Sequence, residues 1–155
     1  MTMNIEVIYP DEKIVTKGDS VSIHRIFMQN EFTLLVEIGD KKTKFDINLP
    51  EWLLALSKFL NDDAKSTNEI LTLSGSPFQA EKYRDGCRLS VYDLISKKNQ
   101  WLDLNQEELT MFHARLVCEL IAAVKEAAGR PLKISELASL EIKGNAGVAK
   151  AKGSD

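Results

Sequence analysis

The chain has 155 residues, 44% of them hydrophobic and 28% charged, with a formal net charge of −3. That length fills one domain better than two, and the acidic balance argues against a protein held to nucleic acid by bulk charge alone. Cys87 and Cys118 form no CxxC pair and fit a reducing, cytoplasmic setting; the sequence shows no secretory leader and no apolar run of bilayer length, so no membrane association is expected.

In chain order, "MNIEVIY" (residues 3–9) alternates apolar and polar positions and predicts a strand. Residues 14–19 and 23–29 predict two more, with Val21, Ile23, Arg25 and Phe27 set against Ser22, His24, Ile26 and Met28. "TLLVEIGDKKTKFDINL" predicts a hairpin turning through Gly39, Asp40, Lys41 and Lys42. A helix should follow, because Asn48 offers an N-cap acceptor, Pro50 sits in the first turn and Glu51 completes a capping box. Its apolar stripe is Leu53, Leu56, Phe59 and Leu60, and residues 61–68 form a polar linker.

The second half repeats the plan. Residues 69–74 and 78–84 predict strands, Asp85-Gly86 is the strongest hairpin signal in the chain, and "CRLSVYD" follows it. A turn through Leu94, Ile95, Ser96 and Lys97 leads to a strand carrying Leu102 and Leu104. Two redundant start signals, Asp103-x-x-Gln106 and Asn105-x-x-Glu108, open a helix over 106–128. Its stripe is Leu109, Phe112, Leu116, Leu120, Ala123 and Val124, and Gly129 with Pro131 should end it. Residues 134–142 predict a short helix or strand, and 144–155 a flexible tail with almost no core-forming residues.

Adding fifty-five to the numbering lays Leu34 on Leu89, Val36 on Val91, Lys42 on Lys97, Ile47 on Leu102, Leu49 on Leu104, Glu51 on Gln106 and Leu54 on Leu109. The expected fold is therefore α+β. One domain, residues 1–143, is built from two tandem ββββα half-units, about 14–60 and 69–128, with antiparallel sheets, packed helices and a C-terminal segment.

This doubled pattern, with "WLDLNQEELTMFHARL" as a strand running into a capped helix, resembles the Whirly-type and PUR-repeat single-stranded nucleic-acid binders and the positive-coactivator domains. The resemblance spans roughly residues 14–128. It implies that the sheets carry the ligand while the helices hold the halves or subunits together. Candidate contacts are then strand and turn residues offering a cation or a ring. They are His24 and Arg25, the turn lysines Lys41, Lys42 and Lys44, then Lys82, Tyr83, Arg84, Arg88, Tyr92, Lys97, Lys98 and Trp101. Bases stack on aromatic rings for ~1–3 kcal/mol each while cations follow the phosphates.

Each candidate also has an ordinary reading. Alternating Lys and Arg usually mark the solvated face of a sheet, and Tyr92 and Trp101 can be half-buried packing residues. His113, on the apolar stripe of the second helix, reads as a core or interface histidine. No nucleophile triad, phosphate-cradling loop or metal-spaced cluster is legible, so neither catalysis nor a cofactor is expected. Two functions compete: binding of single-stranded DNA or RNA, or a protein-interaction or regulatory module of the inhibitor or adaptor kind found in phage and immunity systems. For the second, the helix over 106–128 supplies the contact. Its apolar surplus predicts burial against a second subunit, in a homo-oligomer, or against the C-terminal segment. The charge on the folded sheet faces decides between them: positive charge gathered from both halves favours nucleic acid, mixed or negative charge a protein partner.

Overall fold

Alternation along each strand buries one set of side chains, and that set defines the inner faces of two antiparallel sheets in an α+β fold. The computed structural model describes residues 3–9, 31–62, 70–71 and 77–141. Strands β1 (Met3–Ile8), β2 (Phe32–Ile38) and β3 (Lys41–Ile47) form the first sheet in that order, and helix α1 (Leu49–Asn61) follows. The second sheet runs β4 (Ile70–Leu71), β5 (Pro77–Tyr83), β6 (Gly86–Asp93) and β7 (Lys98–Asn105), followed by α2 (Gln106–Ala128) and the short α3 (Ile134–Leu140). No helix among the described residues is long and apolar enough to cross a membrane. The predicted strands at 14–19 and 23–29, with His24 and Arg25, lie outside the described residues, as do most of the linker and the tail.

The two halves correspond, but not at a constant offset. Leu34 pairs with Phe45 across β2 and β3, while Leu89, fifty-five positions after Leu34, pairs with Leu102, fifty-seven after Phe45. The first hairpin turns on two residues, Gly39 and Asp40, whereas the second needs four, residues 94–97. From there on the offset is fifty-seven: Ile47 corresponds to Leu104, not to Leu102, and the N-cap Asn48 to Asn105. Lys41, Lys42 and Lys44 accordingly lie in strand β3, not in a turn, and Lys42 has no counterpart in Lys97.

The place beside β2 also departs from expectation. Its two edges are taken by β3 and by β1, with Val7 opposite Leu34 as Ala80 lies opposite Leu89 in the other sheet. Residues 3–9, set outside the repeat by the sequence pattern, hold the position that β5 holds in the second half.

Capping fixes both helix starts. Asn48 Oδ1 accepts the Glu51 N–H at 3.2 Å. At α2 the redundancy resolves to Asn105, whose Oδ1 accepts the Glu108 N–H at 2.8 Å while Glu108 Oε1 accepts the Asn105 N–H at 3.0 Å. Gly129 ends α2 in the left-handed region, φ 68°, which a glycine adopts without steric cost.

The core is shared. Trp52 of α1 meets Phe45 of β3, Phe78 of β5 and Phe112 of α2 at centroid distances of 5.9, 5.5 and 5.8 Å. Each helix also reaches the other half's sheet, α1 touching β5 and α2 touching β1. Burial of Leu53, Leu56 and Phe59 on α1, and of Leu109, Phe112, Leu116, Leu120, Ala123 and Val124 on α2, follows the predicted stripes. The C-terminal segment closes one end: Leu140 of α3 is buried, and its carbonyl accepts from Ser57 Oγ and from His113 Nε2, both at 2.7 Å.

Candidate functional site

Residues of β5, β6 and β7 that point away from the core bring Tyr83, Arg88, Tyr92 and Trp101 onto the outer face of the second sheet. The local reason is the β5–β6 hairpin. Its turn is Arg84-Asp85, one residue earlier than the Asp-Gly signal suggests, and Gly86 becomes the first residue of β6 opposite Tyr83. A Cβ on Gly86 would collide with the Leu104 carbonyl and the Asn105 Cα, so β7 can cross there only over a glycine. The Asp85 carbonyl then accepts the first N–H of α2, from Gln106, at 2.6 Å.

This register places Glu81, Arg88 and Asp103 in one row across the three strands. Arg88 donates to Glu81 Oε1 through Nε at 3.1 Å and Nη2 at 2.8 Å. Its guanidinium lies 4.1 Å from the centre of the Trp101 ring and 5.6 Å from that of Tyr83. Tyr83 and Tyr92 are about half exposed, at 49% and 52%, so Tyr92 is a surface ring and not a packing residue. Trp101 is half-buried, as the ordinary reading expected of it. The face is thus an aromatic platform whose central cation is already paired with one carboxylate and has a second beside it.

The remaining cations go elsewhere. Lys82 faces the helices, where Nζ donates to the Asp62 carbonyl at the end of α1 and lies 5.0 Å from the Phe59 ring centre. Lys41 Nζ donates to the Trp101 carbonyl at 2.8 Å, joining the first sheet to the edge of β7. Lys42 lies 4.0 Å from Glu37 on the outer face of the first sheet. There Lys42 and Lys44 stand among Glu6, Glu37 and Asp46. Arg84 is exposed at the β5–β6 turn, and Lys97 and Lys98 are exposed at the β6–β7 turn and the start of β7.

Sequence reasoning missed Asp93. Buried at the end of β6, its Oδ1 accepts the N–H groups of Lys44 at 3.0 Å and Ile95 at 3.1 Å, and Oδ2 accepts that of Ser96 at 3.2 Å. The Leu94 N–H returns a bond of 2.7 Å to the Lys44 carbonyl, so both backbone groups of Lys44 on the open edge of β3 are satisfied by this turn. Burial pushes the Asp93 carboxyl up, but the backbone donors, Lys44 first, hold it below its ordinary value. The available signal was the Asp93-x-x-Ser96 spacing, which suits a side chain bonding its own turn.

Ser57 and His113 could pass for a nucleophile and its base, with Oγ 3.3 Å from Nε2. Both donate to the Leu140 carbonyl instead, and Ser57 is fully buried, so the pair fastens α3 to α1 and α2. Burial pushes the His113 pKa down, against the Leu140 carbonyl, which raises it. The Cys87 thiol is buried and pushed up to about 12, which leaves it inert.

No family model, curated protein or solved structure matches this chain. The geometry of the face itself carries the functional argument.

Proposed function

We propose that this protein is a non-catalytic protein-interaction module, of the adaptor or inhibitor kind, that engages its partner with the outer face of the second sheet. The observation that carries this reading is the row Glu81–Arg88–Asp103 lying between Tyr83 and Trp101. Tyr, Trp and Arg are the residues that dominate protein interfaces, where rings supply contact area at low entropic cost and flanking charges fix register. A phosphate backbone would demand the opposite, cations free of local carboxylates. On both sheets the outward acids of the paired strands outnumber the outward bases.

A second reading has one observation of its own. Lys41 from the first half donates to the backbone carbonyl of Trp101 in the second, which brings a cation of one half to the strand that carries a ring in the other, with Lys98 at the start of that strand. With the doubled sheet-plus-helix arrangement, this supports a Whirly- or PUR-like binder of single-stranded DNA or RNA, its affinity modest and falling steeply with salt.

One experiment separates the two. Fluorescence anisotropy with labelled oligothymidine and a mixed RNA strand should show no binding at low salt, and saturable binding there overturns the primary reading. In parallel, the full chain and a Tyr83→Ala/Trp101→Ala variant are immobilised and exposed to host extract with and without nuclease. Proteins retained by the wild type should survive nuclease and be lost from the variant.

A further inference from the structure

Helix α2 carries a second surface, on the side opposite its core stripe. Glu107, Met111, Ala114, Cys118, Ile121 and Lys125 are spaced by alternating steps of four and three, which at 3.6 residues per turn confines them to a sector of about 80°. Met111 is 49% and Ile121 37% exposed, and Cys118 is a free, exposed thiol. A solvent-facing stripe normally bears charge, whereas this one is apolar for three turns and charged only at its ends.

We propose that this stripe is the seam of a homodimer, occupied by α2 of a second copy running antiparallel about a twofold axis. The charge pattern selects that occupant. With the axis midway along the stripe, Glu107 faces Lys125 of the second copy, Met111 faces Ile121, and Ala114 faces Cys118. Each contact occurs twice, as an isologous interface requires. The small residues fall at the centre, where helices approach most closely, and the large apolar ones flank them. The acidic first turn meets the basic last turn at both ends, and antiparallel helix dipoles add to that attraction. A parallel copy would set Glu107 against Glu107 and Lys125 against Lys125. Among the described residues neither side chain takes part in an ion pair, so both are available. Arg115, beside the twofold axis, is already paired with Glu119 at 2.9 Å. A single helical seam is small beside the ~800 Å² per partner of stable complexes, so the dimer exchanges at micromolar concentration.

The test is sedimentation of the full chain, with circular dichroism to confirm that each variant folds. Wild-type protein should be predominantly dimeric at tens of micromolar. Glu107→Lys and Lys125→Glu, both exposed and outside the core, should each weaken self-association at least about tenfold, the effect of ~1.4 kcal/mol. Mixing the two variants should restore the dimer, because each opposes like charges with itself and opposite charges with the other. A strictly monomeric wild type overturns the proposal. So does a mixture that associates no better than either variant alone.

Discussion

On the first sheet the outward rows read Asn4–Glu37–Lys42 and Glu6–Leu35–Lys44 across the strands; on the second they read Glu81–Arg88–Asp103 and Gln79–Ser90–Trp101. Inward, the same strands are nearly interchangeable: Leu34 for Leu89, Phe45 for Leu102, Ile47 for Leu104, all buried. The core requires only apolar volume at each site, so related side chains serve in both halves. Recognition requires particular groups, and among the described residues only the second sheet gathers aromatic rings around an arginine. The two hairpins differ in the same sense. One closes on a glycine, and the other is built around a buried carboxylate that also seals its neighbour's edge.

The most disruptive way to break this comparison is to remove what the halves share. Trp52→Ala should destabilise the protein by about 3–5 kcal/mol, because the ring touches both sheets and α2. Denaturant unfolding of the variant should remain a single transition. Two separated transitions would mean that the halves are independent.

Next comes the contrast between hairpins. Asp93→Ala leaves three backbone donors without their acceptor and should cost about 2–3 kcal/mol. Asp40→Ala, at the exposed turn of the first hairpin, should change stability by less than about 0.5 kcal/mol. Equal effects would remove the distinction.

Acid should loosen the two fastenings in order. His113 has a folded pKa below its ordinary 6.5, so its contribution is complete above that pH and is lost as pH falls through the folded value. Asp93 follows the same sign from 3.8: complete above it, then lost as pH falls through the lower folded value. Amide exchange should therefore detect loosening of α3 at a higher pH than loosening of the β3 edge. His113→Gln should abolish the first step and leave the second.

A smaller effect than that of Asp93 separates the turns by backbone. Lys97 sits at φ 59°, where a glycine is at ease, so Lys97→Gly should stabilise by about 0.5–1 kcal/mol in thermal unfolding. Gly39→Ala, at φ 58°, should lose a similar amount.

Some of this architecture was legible residue by residue. Asn48 and Asn105 announced the helices, the spacing of Leu109 through Val124 announced the buried face of α2, and Gly129 its end. Others were not, because period-2 alternation is blind to shifts of two. A two-residue turn at Gly39-Asp40 in place of the four-residue one expected over 39–42 leaves every side chain of β3 on its face while moving the offset beyond the turns from fifty-five to fifty-seven. Likewise, placing the second turn at Arg84-Asp85 changes which residue opposes Arg88, Glu81 instead of Tyr83, without changing the face.

The sequence alone determined what depends on near neighbours: caps, stripes, strand alternation and the α+β class, all local consequences of backbone geometry and side-chain polarity. Tertiary structure decided what depends on distant partners. It put β1 beside β2, closed the β3 edge with Asp93, tied Lys82 to the end of α1 and set Glu81 against Arg88. A cation's availability is fixed by whichever carboxylate or carbonyl the fold brings within bonding distance, and alternation along a strand says nothing about that.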